Sequence, residues 1–380
     1  MGIGNGYTVW VLGAGFSKAL GGPLLADLFR PRSVEDDLVA FPKDQYPYLA
    51  WDLCLSRLFC EIGKSEGRWA DAEGLLAYVD SAHRDADDRK KKILRLMFNR
   101  MKTQIPGKTL TDVDFKFARA RFLATPVAIR RALAAECSAF MDETHDNDEI
   151  WQPYRAWSRT LDPLRDTVIS FNYDLVLDRL SSDRHSKIRV LMPNECIEAH
   201  DRWEVPPAVV PVLKLHGSVD WVENGEEMVE RSNVREILMK EEGIPFVAAP
   251  GRSKQEAVES LDPLWRVAKS RLGSADTLVI IGYGFPPSDT RARMAIQNAF
   301  GGGAGTTSDI RRIEVVLGPD TSRPEARRVH SLLEAMDHHR RPVSTYEEAD
   351  ADRPNKLYFK VRPLWAHDFI FDYQRRTRER

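Results

Sequence analysis

The chain has 380 residues, 43% of them hydrophobic, enough for a large core and more than one structural unit. Charged residues make up 29% but nearly cancel to a formal net charge of −2, so no basic field exists to collect phosphates, and direct nucleic-acid binding is not expected. No run approaches the roughly 18 apolar residues of a membrane span, and Cys54, Cys60, Cys137 and Cys196 form no C-x-x-C pair, which argues against a zinc ribbon or a disulfide framework.

The first predicted element is a strand at 8–12 (TVWVL), followed at once by Gly13-Ala14-Gly15-Phe16-Ser17, which is expected to open a helix. Positions 18 to 166 carry almost no strand signal. Apolar residues at helical spacing mark 46–62, 72–83, 89–101 and 114–142, a tract too long for one crossover helix. Four more strong strands follow at 167–171 (TVISF), 211–215 (PVLKL), 277–281 (TLVII) and 313–317 (IEVVL), with weaker candidates at 188–192, 245–249 and 357–361. Short β-branched runs without alternation suit strands buried on both faces. The run 301–308 (GGGAGTTS) reads as a loop, and the basic end 375–380 (RRTRER) as a solvated helix end. The expected fold is α/β, a Rossmann-like parallel sheet flanked by helices with a large inserted helical module. Residues 1–30 and 163–320 would form the core, 31–162 the module, and 321–380 a C-terminal α/β extension.

Open parallel sheets bind ligands beyond the carboxyl ends of their strands. Here the residues just past those ends are Gly13, Asn172, His216, Gly282 and Gly318. Gly13 and Gly15 would let backbone N–H groups approach a phosphate, with Ser17 in the first helical turn; a plain β–α turn is the other reading. The third glycine of G-x-G-x-x-G is absent, since Lys18 stands there, and no P-loop can be aligned. In Phe171-Asn172-Tyr173-Asp174, Asn and Asp serve either as helix caps or as ligand-facing groups. In Lys214-Leu215-His216-Gly217-Ser218, a histidine at a strand end beside a glycine is a candidate general base. Gly282-Tyr283-Gly284-Phe285-Pro286-Pro287-Ser288-Asp289 repeats the glycine-rich strand end, with Pro287 or Ser288 near a helix start.

The ordered set GAGFS, FNYD, LHGS and IIGYGFPPSD resembles the sirtuin-like superfamily, in particular its bacterial anti-phage NAD-hydrolase branch; Asp71-Ala72-Glu73-Gly74-Leu75-Leu76 is similar to an acidic-Glu-x-Leu-Leu element of that branch. The resemblance covers roughly residues 8–320 and implies one sirtuin-like unit over 1–380. It implies that Gly13, Ala14, Gly15 and Ser17 line the NAD pyrophosphate and ribose, and that Asn172 and Asp174 contact the nicotinamide ribose and carboxamide. His216 would be the catalytic histidine, with Gly282 and Tyr283 beside the adenosine ribose. Two departures matter. The deacylases' two C-x-x-C pairs have no counterpart after His216, and their Pro-Asp-Phe-Arg element is replaced by Pro23-Leu24-Leu25-Ala26-Asp27.

Those losses move the expected acceptor from acyl-lysine to water. The resulting expectation is an NAD+ hydrolase that yields nicotinamide and ADP-ribose and needs no metal. Nicotinamide leaves as a neutral molecule, so no general acid is required; Asn172 would orient ribose and water while His216 takes a proton. The alternatives are an NAD-dependent deacylase or ADP-ribosyltransferase, and a non-catalytic subunit that senses NAD or ADP-ribose. The resemblance also implies NAD depletion in anti-phage defence, a homo-oligomer, and activation by a separately encoded partner such as a HerA-type ATPase. A cytoplasmic, membrane-free location is expected, since no secretory signal is visible.

Overall fold

The computed structural model describes residues 7–32, 34–42, 44–84, 88–104, 125–144, 147–199, 202–206, 208–223, 228–240, 243–248, 254–286, 289–300, 310–336, 341–343 and 356–378. The expectations for 114–124, 249, 287–288, 301–308 and the side chains of the basic end lie outside the described residues.

The strands, in chain order, are β1 (Tyr7–Leu12), β2 (Asp166–Ser170), β3 (Ile188–Val190), β4 (Ile197–Ala199), β5 (Arg202–Glu204), β6 (Val210–Lys214), β7 (Trp221–Glu223), β8 (Val229–Arg231), β9 (Ala275–Ile281), β10 (Arg312–Val316), β11 (Arg341–Val343) and β12 (Lys356–Arg362). Eight of them form one sheet in the order β11-β12-β10-β9-β1-β2-β6-β3, and every neighbouring pair is parallel. The five strong apolar runs are its central strands. Val9–Leu12, Val168–Ile169, Val212–Leu213 and Leu278–Ile281 are buried, as continuous hydrophobic runs require when helices cover both faces. The pairs β4–β5 and β7–β8 are short antiparallel ribbons.

The helices are α1 (Val34–Ala40), α2 (Leu49–Ser65), α3 (Ala72–Arg84), α4 (Asp88–Gln104), α5 (Thr125–Glu143), α6 (Asp148–Thr160), α7 (Val176–Ser181), α8 (Val234–Met239), α9 (Lys254–Gly273), α10 (Thr290–Phe300), α11 (Pro324–Met336) and α12 (Ala366–Arg378). The chain groups into two compact units. One holds residues 1–22, 140–216 and 261–380, hence the whole sheet; the other holds 23–139 and 217–260. The helical tract therefore gives α6 to the sheet unit, and the segment after His216 groups with the helices. Residues 321–380 extend the main sheet, since β12 pairs with β10.

Within the sheet unit α12 packs on α6, and Trp10 of β1 meets Trp157 edge-on at 5.6 Å and Tyr373 at 4.9 Å. Trp10 Nε1 donates to Asp166 at 2.9 Å, so even this buried indole is satisfied. Within the helical unit the buried residues of α2 form the core, and Trp69 lies so close to Gly63 that a β-carbon there would overlap its ring.

Candidate active site

Strand β1 changes neighbours in a way that defines the site. The chain continues from β1 to β2 on one side and returns at β9 on the other, so the strand order reverses between β1 and β9. The loops after β1 and β9 touch there. Gly13 N donates to Ile281 O at 2.9 Å and Gly15 N to Gly282 O at 3.1 Å. A β-carbon on Gly13 would come within 2.6 Å of the Gly282 carbonyl oxygen, and one on Gly282, at φ +66°, within 2.4 Å of the Gly15 α-carbon. These glycines are accounted for by backbone-on-backbone packing, and the N–H groups of Gly13 and Gly15 are already engaged.

The loop also corrects one expectation. GAGFS does not open an α-helix; it runs into two single-turn 3-10 segments, Ala14–Phe16 and Lys18–Leu20. The reason lies in Gly21-Gly22-Pro23. Gly21 adopts φ +90° and ends the turn, and Gly22 sits where a β-carbon would strike Ser17. The loop itself therefore opens no extended helix with a macrodipole. Tyr154 of α6 holds it instead, donating its hydroxyl to Phe16 O at 2.8 Å, with the two rings edge-on at 5.1 Å.

Asn172 and Ser17 meet across β1 and β2. Asn172 Nδ2 donates to Gly13 O at 3.0 Å and to Ser17 Oγ at 3.3 Å. Because Gly13 O accepts only, the amide nitrogen must face it, and the side-chain carbonyl Oδ1 faces the other way. Ser17 Oγ donates to Asp174 Oδ2 at 2.7 Å, while Asp174 Oδ1 accepts at 3.1 Å from Val176 N, the first residue of α7. Burial pushes the Asp174 carboxyl up; the Ser17 hydrogen bond and the Lys214 charge pull it back. Lys214 is fully buried in β6, donating to Asp174 O at 2.7 Å and Asp178 Oδ2 at 2.8 Å.

His216 follows β6 as Asn172 follows β2. Ser170 of β2 pairs with Lys214 of β6, so both residues stand just past the carboxyl ends of adjacent strands. The imidazole is edge-on to Phe171 at 4.9 Å and stacked with Tyr173 at 6.0 Å. His216 Nε2 lies 2.9 Å from Asp289 Oδ2, and Tyr283 donates its hydroxyl to that same oxygen at 2.5 Å. The Tyr283 ring stacks on Phe171 at 4.2 Å.

Of the residues picked from sequence, Asn172, Ser17 and Asp174 thus form one hydrogen-bonded group. His216 joins Tyr283 in a second, on the neighbouring strand end. Gly13, Ala14, Gly15 and Gly282 make up the loop contact beside them. From sequence, Asp289 is only the last letter of the IIGYGFPPSD motif. Its signal was available, since an aspartate directly before a helical run is a cap candidate. Lys214 was likewise legible, because a lysine closing a buried strand needs a carboxylate or carbonyl partner.

Among the described residues no group of three or more His, Cys, Asp or Glu could hold a metal ion, and no helix is long and apolar enough to cross a membrane. No family model matches the chain, and no curated protein does. A solved structure described as "Structural Basis for the Mechanism and Regulation of Sir2 Enzymes" aligns over 98% of this chain and 93% of its own, at 12% identity and a TM-score of 0.35. A likeness at that score decides neither activity nor substrate.

Proposed function

We propose that this chain hydrolyses NAD+ at the nicotinamide–ribose bond. The observation that carries the reading is the placement of Asn172 and the His216–Asp289 pair just past adjacent strand ends, next to the point where strand order reverses. The ordered motifs around them, GAGFS, FNYD, LHGS and IIGYGFPPSD, support NAD as the substrate.

The reaction consumes one water and releases nicotinamide, ADP-ribose and one proton. It needs an acceptor to align the water and a base to take that proton. Asn172 supplies the first through Oδ1, because its nitrogen is held by Gly13 O and Ser17 Oγ. His216 supplies the second. Asp174 acts through the group it holds, since its oxygens are engaged by Ser17 and Val176 N. The engaged N–H groups of Gly13 and Gly15 leave the pyrophosphate to other donors of the loop. The wider setting belongs to the same proposal: NAD depletion in anti-phage defence, homo-oligomeric assembly, and activation by a partner such as a HerA-type ATPase. It is supported by the motif order alone.

The test follows nicotinamide and ADP-ribose release by chromatography for wild type, Asn172→Ala and His216→Ala, with NAD binding measured by calorimetry on the same folded samples. Loss of a general base or its partner group costs about 10²–10⁴ in rate. Full turnover in both variants ends the assignment. Binding with no turnover favours a sensing subunit, and neither binding nor turnover ends the NAD reading.

A further inference from the structure

We propose that Asp289 is a positioning residue that holds His216 as the Nε2–H tautomer and so makes Nδ1 its proton-accepting nitrogen. The catalytic consequence rests on the hydrolase reading above; the tautomer itself does not.

A bland account of Asp289 exists. It directly precedes α10, and its Oδ1 accepts from Ala292 N at 3.3 Å, an ordinary N-cap. That account uses one oxygen. The other, Oδ2, is turned toward His216 Nε2 at 2.9 Å and the Tyr283 hydroxyl at 2.5 Å, on a residue with no solvent exposure. A cap needs neither contact, and solvent-facing serine, threonine or asparagine would serve it as well.

Three further features hold this geometry. Phe285, fully buried, adopts φ +48°, a left-handed conformation that a bulky side chain takes only where its surroundings enforce it. It lies within the turn that carries the chain from Tyr283 to Asp289. The ring of Tyr283 is fixed between Phe171 at 4.2 Å and Phe285 at 4.7 Å, which aims its hydroxyl. Arg291, one residue into α10, is bonded to Asp262 at 3.0 Å with its guanidinium 4.3 Å over Trp265, which anchors the start of the helix that Asp289 caps. Asp289 accepts at both oxygens, from Ala292 N and from the Tyr283 hydroxyl, and donors of that kind favour the ionised carboxylate.

An ionised carboxylate only accepts, so Nε2 must carry the hydrogen that faces it, and a neutral imidazole then has its lone pair on Nδ1. When Nδ1 takes a proton, the resulting cation stands against Asp289. Asp289→Asn separates the two accounts. An asparagine keeps an oxygen for the Ala292 cap but presents an NH₂ where Oδ2 stood. That group donates to Nε2 and forces the hydrogen onto Nδ1. The equivalent exchange in a serine-protease triad lowers kcat about 10⁴-fold with geometry intact.

The experiment records long-range imidazole ¹H–¹⁵N spectra of the full chain at one neutral pH, with His216→Ala assigning the resonance, alongside NAD turnover. Expected are an Nε2–H His216 in wild type, an Nδ1–H His216 in Asp289→Asn, and a loss in kcat of at least a hundredfold with little change in KM. Tyr283→Phe, which keeps the carboxylate, should retain the wild-type tautomer and lose less than tenfold. An Nδ1–H tautomer in wild type overturns the proposal whatever the fate of the variants, and so does full turnover in a folded Asp289→Asn. A tautomer switch in a chain that never turns over NAD keeps the positioning role and removes the hydrolase reading. Hydrolysis by wild type with an unmoved tautomer in Asp289→Asn does the reverse.

Discussion

Both compact units bury carboxylates, but the helical unit and the strand ends of the sheet unit partner them differently; within the sheet, Glu314 is held by Arg312 and Arg362 as the helical carboxylates are held. In the helical unit the partners are guanidinium groups. Arg131 holds Asp52 at 3.0 Å with both side chains fully buried, Arg130 grips Asp80 at 2.6 Å, and Arg57 binds Asp37 and Glu136 together. At the strand ends of the sheet unit, Asp174 faces the Ser17 hydroxyl, and Asp289 faces the Tyr283 hydroxyl and an imidazole. A guanidinium stays charged and locks its partner in one state. Hydroxyl and imidazole partners leave protons that can be moved, which is what a reacting centre requires. The first arrangement fixes a helix interface; the second leaves protons free to move.

The harshest way to break this contrast is to strip one locked pair. Asp52→Ala removes the carboxylate from a guanidinium that cannot reach water, and a loss of about 3–5 kcal/mol in urea denaturation is expected. The double replacement Asp52→Leu with Arg131→Met should recover most of it, since no charge then remains buried. A loss below about 1 kcal/mol in the single variant would show that the helical pairs lock nothing.

The same contrast explains what the sequence could reveal. The central strands were legible because both of their faces are buried, and apolar runs such as 277–281 have no other economical use. The residues at strand ends were legible as a set, since polar side chains there serve packing poorly. The roles of Gly13, Gly15 and Gly282 were not. A glycine that admits a ligand and one that admits a neighbouring loop are the same letter, and here the neighbour fills the space. The missing helix after Gly13 depended on Gly21 and Gly22, whose breaking effect sits downstream of the motif that drew attention. Asp289 and His216 become partners only when β9 returns beside β1, a long-range contact that no local window contains.

Asp166 sharpens the rule, because partners alone do not make a site. It too is a carboxylate met by neutral donors, half-buried against Trp10 Nε1 at 2.9 Å and Asp162 N at 2.6 Å, yet it begins β2, at the end of the strand away from Asn172. Burial pushes its carboxyl up to about 6, with the Asp162 and Trp10 hydrogen bonds pulling the other way. An unfolded aspartate titrates near 3.9, so the folded chain holds this proton more tightly than the unfolded one. Its contribution is therefore fully present below about pH 4 and lost as pH rises through 6, by on the order of 3 kcal/mol. Urea midpoints at pH 4 and pH 6.5 should differ in that direction, and Asp166→Asn should remove this part of the difference. NAD turnover per folded molecule should stay at the wild-type level, which a strand-end carboxylate would not allow.

The smallest effect expected lies within the site, at Ser17, whose hydroxyl donates to Asp174 and accepts from Asn172. Ser17→Ala removes a hydrogen bond to a carboxylate, worth about 2 kcal/mol. Burial already raises the Asp174 carboxyl, and losing this donor raises it further. A raised folded value means that the cost is absent below the unfolded range near pH 4 and grows as pH rises. Ser17→Ala should therefore destabilise the chain more at pH 7 than at pH 4, in paired urea titrations. It should also slow NAD cleavage, because Asn172 keeps Gly13 O but loses the second contact that orients its amide. Equal losses at both pH values would mean that the hydroxyl only fills space, and the strand-end cluster would then resemble the locked pairs of the helical unit.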